Sequence, residues 1–263
     1  MKIGFIGCGN MASAMIGGIL GKKLVAPEDI MASAKSEKTR TKIQKELGIQ
    51  AGDNGTVAAT ADVLVLAIKP IYMEEVIKEI RSQVRPETIV VTLAPGKTIA
   101  WLEETFAGEV KLVRTMPNTP ALVGEGMTGM CPNSRVTEEE LKTVITVFES
   151  FGKVEVVTET MIDVVVGVSG SSPAYVFMFI EAMADAAVAD GMPRAQAYKF
   201  AAQAVLGSAK MVLETGKHPG ELKDMVCSPG GTTIEAVRVL EEKGLRSAVI
   251  EAQKACVKKG RGL

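Results

Sequence analysis

A glycine-rich turn near the start of the chain limits its fold more than any other feature. Residues 7–12 read GCGNMA; they follow the short apolar run 2–7 and open a predicted helix over residues 10–20. In such a G-x-G-x-x-A turn the first glycine permits a tight bend, the second lets a pyrophosphate approach the backbone, and the alanine brings the helix close to a sheet. The NH groups of the helix N-terminus favour an anion. The pattern predicts a dinucleotide-binding unit, with an ordinary strand–helix turn as the alternative.

Strand-like and helix-like segments alternate over residues 1–157. Residues 63–68 (VLVLAI) are apolar on both faces, as in a buried parallel strand. This alternation predicts a doubly wound parallel sheet. The predicted strands cover residues 2–7, 29–32, 63–68, 89–93, 111–115 and 127–130. The predicted helices cover residues 10–20, 36–47, 71–83 and 137–151.

The alternation of strands and helices ends in residues 158–263, where the sequence predicts no strand after Met161. Helices over 176–189 and 201–212 are apolar nearly all round, which favours burial against a second subunit over packing on the first domain. The predicted fold class is therefore α/β, with an N-terminal Rossmann-type doubly wound sheet and an all-α C-terminal dimerisation domain. The predicted helices cover residues 161–168, 173–190, 194–215, 219–226, 232–243 and 245–258.

Composition excludes several classes of function. The chain has 30 basic and 31 acidic residues, so it lacks the basic excess of a protein that binds nucleic acid broadly. Its most apolar stretch, 164–180, is interrupted by glycines, serines and Pro173, and we expect no membrane span. The four cysteines lack CxxC spacing, which predicts neither a disulfide framework nor a metal site. With a strand-like start in place of a signal peptide, this indicates a cytoplasmic protein.

The end of the second predicted strand bears on which dinucleotide is bound. Residues 32–36 read ASAKS, without the carboxylate that usually binds the ribose diol of NAD. Hydroxyls and the Lys35 ammonium suit the 2′-phosphate of NADPH, which a carboxylate would repel. We therefore predict NADPH, with NADH as the second choice. The alternative is that Lys35 and Ser36 only begin the next helix, with Ser36 as its cap.

Two further segments are candidate binding elements. Residues 67–70 (AIKP) follow an apolar strand at the sheet edge that faces ligands in doubly wound folds. The alternative is a strand-ending lysine before a proline. Residues 227–233 (CSPGGTT) open a helix and offer several backbone NH groups and two hydroxyls, which suit a small carboxylate; a plain N-cap is the alternative. We expect His218, the single histidine, to be a surface or capping residue.

Together with residues 116–120 (MPNTP), these segments resemble the pyrroline-5-carboxylate reductase family along essentially the whole chain. The most specific part is SPGGTTI at residues 228–234. The resemblance implies reduction of 1-pyrroline-5-carboxylate to L-proline with NAD(P)H, and a dimer or a ring of dimers. One departure is Ser172, which stands where the family usually has glycine in S-G-S-G-P-A.

The resemblance also implies the site residues, and it places Thr233 near the ring nitrogen of the substrate. We expect this nitrogen to be protonated by solvent directly or through Thr233, which is the predicted catalytic residue. The cofactor is expected on Ile6, Gly7, Cys8, Gly9, Asn10, Met11, Ser33, Lys35, Asn54, Ala67, Ile68, Lys69, Pro70, Ala94 and Asn118. The substrate carboxylate is expected on Ser228, Gly230, Gly231, Thr232 and Thr233.

Two rival functions remain. A β-hydroxyacid dehydrogenase carries a catalytic lysine in a G-x-x-x-K-x-x-x-N helix, and residues 170–185 contain no lysine to donate a proton. A nucleotide sensor without catalysis would keep Gly7, Gly9 and Ala12 but would not need the anion pocket at residues 230–233.

Overall fold

The computed structural model describes residues 1–34 and 36–261, without the side chains of Glu37, Lys38 and Lys42. Lys35, predicted to bind cofactor, lies outside the described residues. The chain forms two compact units, Met1–Ser171 with Cys256–Leu263, and Ser172–Ala255.

A single eight-stranded sheet organises the first unit, in the order β3-β2-β1-β4-β5-β6-β7-β8. All neighbours are parallel except β6 and β7. The strand order reverses between β1 and β4, and in doubly wound sheets ligands bind at this switch point, beyond the carboxyl ends of the strands. The strands are β1 Ile3–Ile6, β2 Ile30–Ser33, β3 Gln50–Gly52, β4 Val63–Leu66, β5 Ile89–Thr92, β6 Lys111–Met116, β7 Gly126–Pro132 and β8 Gly152–Val156.

Twelve α-helices accompany the sheet in the described residues. A π-helical turn, Val166–Gly170, follows α7, and short 3₁₀ turns lie at Pro27–Asp29, Pro70–Tyr72 and Thr119–Val123. The helices are α1 Asn10–Gly21, α2 Glu37–Leu47, α3 Asn54–Thr60, α4 Met73–Ile80, α5 Ile99–Phe106, α6 Glu138–Glu149, α7 Glu159–Val165, α8 Ser172–Ala189, α9 Arg194–Thr215, α10 Pro219–Val226, α11 Thr232–Glu242 and α12 Leu245–Gly260.

The two faces of the sheet carry separate apolar clusters. On one face Ile16 and Ile19 of α1 lie with Phe148 of α6, all fully buried. On the other, Met73, Ile77 and Leu102 of α4 and α5 cover β4 and β5. Strands covered on both faces read as continuous apolar runs, which explains the VLVL sequence of β4.

The predicted fold class is confirmed, but four elements of the first unit were not predicted: β3, α3, α5 and β8. The predicted helix over 71–83 is also shorter, because Pro70–Tyr72 forms a 3₁₀ turn and α4 ends at Ile80. The predicted domain boundary at 157/158 follows the end of β8 at Val156, whereas the first compact unit continues through α7 to Ser171.

The second unit consists of helices and exposes large apolar side chains. Ala184, Ala197 and Ala201 are buried where α8 and α9 pack together. In contrast, Met178 is 69% exposed and Leu213 is 83% exposed. Large exposed apolar side chains on two neighbouring helices are more typical of an interaction surface than of a surface facing water.

We expected the glycines, serines and proline of residues 164–180 to interrupt the helix and make it too short to span a membrane. The structure contradicts the expected interruption. Glu159–Ala189 is one helical stretch of 31 residues, with a mean hydropathy of 1.4 in its most apolar window. By length and composition alone it is able to cross a membrane, and interface helices of water-soluble proteins pass the same test.

Candidate functional site

The turn after β1 requires its first glycine. Gly7 has a φ of 88°, and a Cβ there would lie 2.7 Å from the carbonyl oxygen of Ala67 and 2.8 Å from Ile68 Cγ2. The approach is close because the Ala67 NH donates to the Ile6 carbonyl at 2.9 Å. By contrast, apart from its two neighbours in the chain, no described atom lies within 4 Å of a Cβ built on Gly9, so space is open in front of α1.

The N-terminus of α1 is free to bind an anion. Among the described residues, no side chain caps it and no acidic side chain lies in its first turn. Ala12, only 1% exposed, lets the helix pack closely on the sheet. Burial raises the pKa of the Cys8 thiol, an effect that the contact with Ser13 Oγ at 3.9 Å partly offsets. The thiol is therefore neutral at pH 7, and the turn fits a pyrophosphate.

A chain of hydrogen bonds joins the ends of three elements beside this turn. Ser33, 2% exposed at the end of β2, accepts from the Gly7 NH at 3.3 Å and donates to Asn54 Oδ1 at 2.6 Å. Asn54 Nδ2 donates to Glu79 Oε2 at 2.9 Å. The structure therefore brings together Gly7, Ser33 and Asn54, three of the residues predicted to bind the cofactor.

These residues line a cavity of about 520 Å³ in the first unit. Ser36, the alternative to a phosphate contact, is indeed the N-cap of α2 and accepts from the Thr39 NH at 3.2 Å. The lining residues that sequence reasoning missed are Ala34, Arg40, Asp53, Tyr72, Glu75, Val76 and Glu79.

Asp53 shows how the cavity wall is built. Its Oδ1 caps α3 by accepting from the Thr56 NH at 2.7 Å. This backbone hydrogen bond, then the Thr56 side chain and, more weakly, the charge of Arg40 hold the pKa of the Asp53 carboxyl below its usual value. The Asp53 carboxylate is thus ionised at neutral pH, and its Oδ1 is already hydrogen-bonded to the Thr56 NH.

The predicted residues at the ends of β4 and β5 are placed differently from one another. Ala67 and Ile68 are half-buried beside Gly7, while Lys69 is exposed and precedes the Pro70–Tyr72 turn. Ala94 is 2% exposed, and its NH donates to Thr92 Oγ1 at 3.3 Å. Cofactor contacts by Lys69, Pro70 and Ala94 stay predictions.

Asn118 uses its whole amide inside the protein. Its Oδ1 accepts from the Met127 NH at 2.8 Å, and its Nδ2 donates to the carbonyl and the hydroxyl of Ser169 at 3.2 and 3.1 Å. Asn118 therefore ties the end of β6 to β7 and to the π turn. These contacts make it a positioning residue, and its predicted contact with the cofactor stays a prediction.

The candidate carboxylate receptor lies in the second unit, in the turn before α11. Gly230 has a φ of 66°, and the Gly231 NH donates to the Ser228 carbonyl at 3.0 Å. Gly231 is the N-cap of α11, and among the described residues no side chain caps this helix. Thr232 is exposed and Thr233 half-buried in its first turn. The geometry leaves several NH groups open to a small anion.

Two further expectations are settled by geometry. His218 is exposed and caps α10, its Nδ1 accepting from the Gly220 NH at 3.1 Å, which confirms the capping role. Ser172 is not among the described residues with positive φ, so replacing the usual glycine does not force a left-handed backbone there.

No metal centre is found in the part of the chain that the structure describes, where no group of three or more His, Cys, Asp or Glu side chains is close enough to share an ion. All four cysteines are free thiols.

Comparison with known proteins matches the two parts of the chain to two family models, and matches the whole chain to pyrroline-5-carboxylate reductases. The family described as "Pyrroline-5-carboxylate reductase dimerisation" matches residues 159–263, and "NADP oxidoreductase coenzyme F420-dependent" matches residues 2–96. A pyrroline-5-carboxylate reductase of Escherichia coli (strain K12) is 57% identical over 100% of this chain and 98% of its own length. One from Methanosarcina acetivorans is 44% identical over 95% of this chain and 93% of its own.

Solved structures agree with this result. The crystal structure of the Plasmodium falciparum pyrroline carboxylate reductase, with NADP bound, matches with a TM-score of 0.91 at 32% identity. The match covers 100% of this chain and 97% of that one.

Proposed function

The chain belongs to the pyrroline-5-carboxylate reductase family, and we infer that it reduces 1-pyrroline-5-carboxylate to L-proline with a reduced nicotinamide dinucleotide, as a step in proline biosynthesis. One structural observation carries this inference. Two helix N-termini, one after Gly9 and one after Gly231, are open to anions and are formed by the residues that carry the family resemblance.

NADPH is the cofactor that we assign, with NADH as the second choice. Two observations support NADPH: β2 ends on Ser33 without a carboxylate, and a related structure holds NADP. The adjoining cavity of about 520 Å³ would take the adenosine that both cofactors share. The turn at residues 6–11 would hold the pyrophosphate. Ser33 and Asn54 would lie at the adenosine ribose, and residues 67–70, Ala94 and Asn118 would lie at the nicotinamide half.

The cofactor, when bound, supplies a hydride for the carbon of the C=N bond. The chain's own part is binding, orientation and proton supply. The NH groups at residues 230–233, with Ser228, would bind the substrate carboxylate, and the Thr233 hydroxyl would relay a proton from solvent to the ring nitrogen. A protonated imine is already electrophilic, so the reaction does not need a strong acid, in keeping with a chain whose single histidine is a helix cap.

Self-association is the second part of the proposal. The exposed apolar side chains of α8 and α9, among them Met178 and Leu213, would be covered by a second copy of the chain in a homodimer, and dimers would assemble into a ring. The cytoplasm is the proposed location, because the enzyme's substrate and reduced cofactor are soluble and its four cysteines are free thiols.

The function is tested by mixing the purified chain with NADPH and 1-pyrroline-5-carboxylate. We expect the absorbance of the reduced nicotinamide to fall and L-proline to form in equal amount. Tight binding of NADPH without any proline would contradict the assignment and favour a nucleotide sensor.

A further inference from the structure

The cavity beside the dinucleotide turn has an unusual balance of charge. Its described lining includes three carboxylates, Asp53, Glu75 and Glu79, and a single cation, Arg40. A dianionic phosphate entering such a wall would be repelled unless the cation compensates locally. The position of Arg40 therefore decides whether a phosphorylated or an unphosphorylated ribose is favoured there.

Arg40 has unused hydrogen-bonding capacity. It is half-buried in α2, and its Nε is fully buried without a hydrogen-bond partner in the described residues. It takes part in none of the ion pairs found among those residues. The enclosed Nε is out of reach of a ligand, but Arg40 lines the cavity and its guanidinium makes no hydrogen bond or ion pair with the described residues. Its remaining donors are therefore available to an anionic ligand.

Two of the three carboxylates of the same wall, Asp53 and Glu79, already accept hydrogen bonds. Asp53 Oδ1 accepts from the Thr56 NH at 2.7 Å, and Glu79 Oε2 accepts from Asn54 Nδ2 at 2.9 Å. These contacts satisfy part of each acid without Arg40. The Arg40 charge is thus held near the cavity while no described acid pairs directly with it.

Ser33 is a poor candidate for the phosphate donor in this arrangement. A serine hydroxyl has one proton, and Ser33 gives that proton to Asn54 Oδ1 at 2.6 Å. Its oxygen meanwhile accepts from the Gly7 NH. Ser33 therefore positions Asn54 and the turn, and a different residue must supply the charge-assisted hydrogen bonds that a 2′-phosphate requires.

We propose that Arg40 is the specificity-determining residue that binds the 2′-phosphate of NADPH, and that it sets the preference for NADPH over NADH. The planar guanidinium presents donors in a fork that matches two phosphate oxygens. This inference rests on the proposed function, because it assumes that the cavity receives the adenosine half of the cofactor.

The test measures binding of each reduced cofactor to the whole protein by nicotinamide fluorescence, without substrate. In Arg40→Met, which keeps the length of the side chain, the Kd for NADPH should rise by about tenfold or more and that for NADH should change less than about twofold. Arg40→Lys should regain part of the NADPH affinity, since a lysine keeps the charge but loses the fork.

Lys45→Met is the matched control, because Lys45 is exposed on the same helix and does not line the cavity. It should leave both Kd values near those of the parent. Lys35→Met tests the residue that the sequence predicted at the 2′-phosphate, for comparison with Arg40→Met. Thermal unfolding checks that every variant is folded.

Two results would overturn the proposal: an unchanged NADPH affinity in Arg40→Met, or the same loss for NADH as for NADPH. A large loss in Lys35→Met with none in Arg40→Met would assign the phosphate to Lys35 instead. Failure of the proposed function looks different, because the parent protein would then form no proline with either cofactor. The binding measurements do not depend on turnover.

Discussion

Arg114 Nη2 donates to Asp163 Oδ1 at 2.9 Å, from a guanidinium that is only 2% exposed in the middle of the sheet. The same guanidinium donates to Glu159 Oε1 at 3.2 Å, and that oxygen also accepts from the Ile99 NH at 2.6 Å. Arg114 of β6 therefore binds two acids, Glu159 and Asp163, that lie one helical turn apart on α7. The π turn that hydrogen-bonds to Asn118 follows directly after α7.

Arg114→Met should destabilise the protein by about 3 kcal/mol, because it leaves the partly buried Glu159 without its cation and Asp163 with only the longer pair to Arg261 at 3.7 Å. Urea unfolding followed by circular dichroism measures the loss. Arg135→Met is the control, since Arg135 pairs with Glu109 at the surface and should contribute less than about 1 kcal/mol. Equal effects of the two substitutions would contradict the structural role of Arg114.

Gly7 and Gly9 should respond to alanine in different ways. Gly7→Ala places a side chain at positive φ and against the Ala67 carbonyl, so we expect a loss of about 2 kcal/mol or more in unfolding free energy, together with weak NADPH binding. The methyl group of Gly9→Ala meets no described atom beyond its chain neighbours within 4 Å, and this variant should fold normally. Its methyl group would occupy the space assigned to the pyrophosphate, and the Kd for NADPH should rise by about tenfold.

Unfolding in urea and NADPH fluorescence separate these two outcomes. Normal cofactor binding by a well-folded Gly9→Ala protein would remove the pyrophosphate from this turn.

The Cys8 thiol should make cofactor binding weaken in alkaline solution. Burial raises its pKa, so the neutral thiol persists at pH 7 and the thiolate forms only above the ordinary thiol range. A thiolate in the turn would repel the pyrophosphate. NADPH titrations from neutral to alkaline pH should therefore show a rising Kd, and Cys8→Ser should flatten this rise. An identical pH profile in Cys8→Ser would assign the effect to another group.

The order of strands and helices could be predicted from sequence because most central elements are strongly patterned. β4 and β5 are apolar on both faces, which only a buried parallel strand explains. β3 and β8 lie at the two edges of the sheet, where this signal is weak: Gln50 is exposed in β3, and Lys153 and Glu155 interrupt β8. Edge strands need less apolar sequence, and their pairing depends on tertiary contacts.

The site was predictable wherever a backbone requirement leaves its mark on the sequence. Gly7 and Gly230 both have positive φ, and both belong to recognisable turns. The roles of Arg40 and Arg114 impose no backbone requirement of this kind. They depend on tertiary contacts: Arg40 lines the cavity from α2, and Arg114 contacts two acids of α7. For Arg114 a signal did exist: a lone arginine inside an apolar strand requires buried acids, and Glu159 and Asp163 recur at helical spacing.

Thr233→Ala separates proton supply from cofactor binding. Thr233 lies in the first turn of α11, where the helix begins without a side-chain cap in the described residues, so its loss should leave the fold intact. We expect kcat/KM for 1-pyrroline-5-carboxylate to fall by about a hundredfold, the effect typical of losing a positioned proton donor, with the Kd for NADPH nearly unchanged. Thr233→Ser keeps the hydroxyl and should retain most of the activity.

The matched control is Thr215→Ala, which removes a hydroxyl at the end of α9 that donates to the Met211 carbonyl. It should leave kcat/KM near that of the parent. Unchanged kinetics in Thr233→Ala would exclude this hydroxyl from the reaction, whereas equal losses in the alanine and serine variants would point to packing of the side chain and not to its proton.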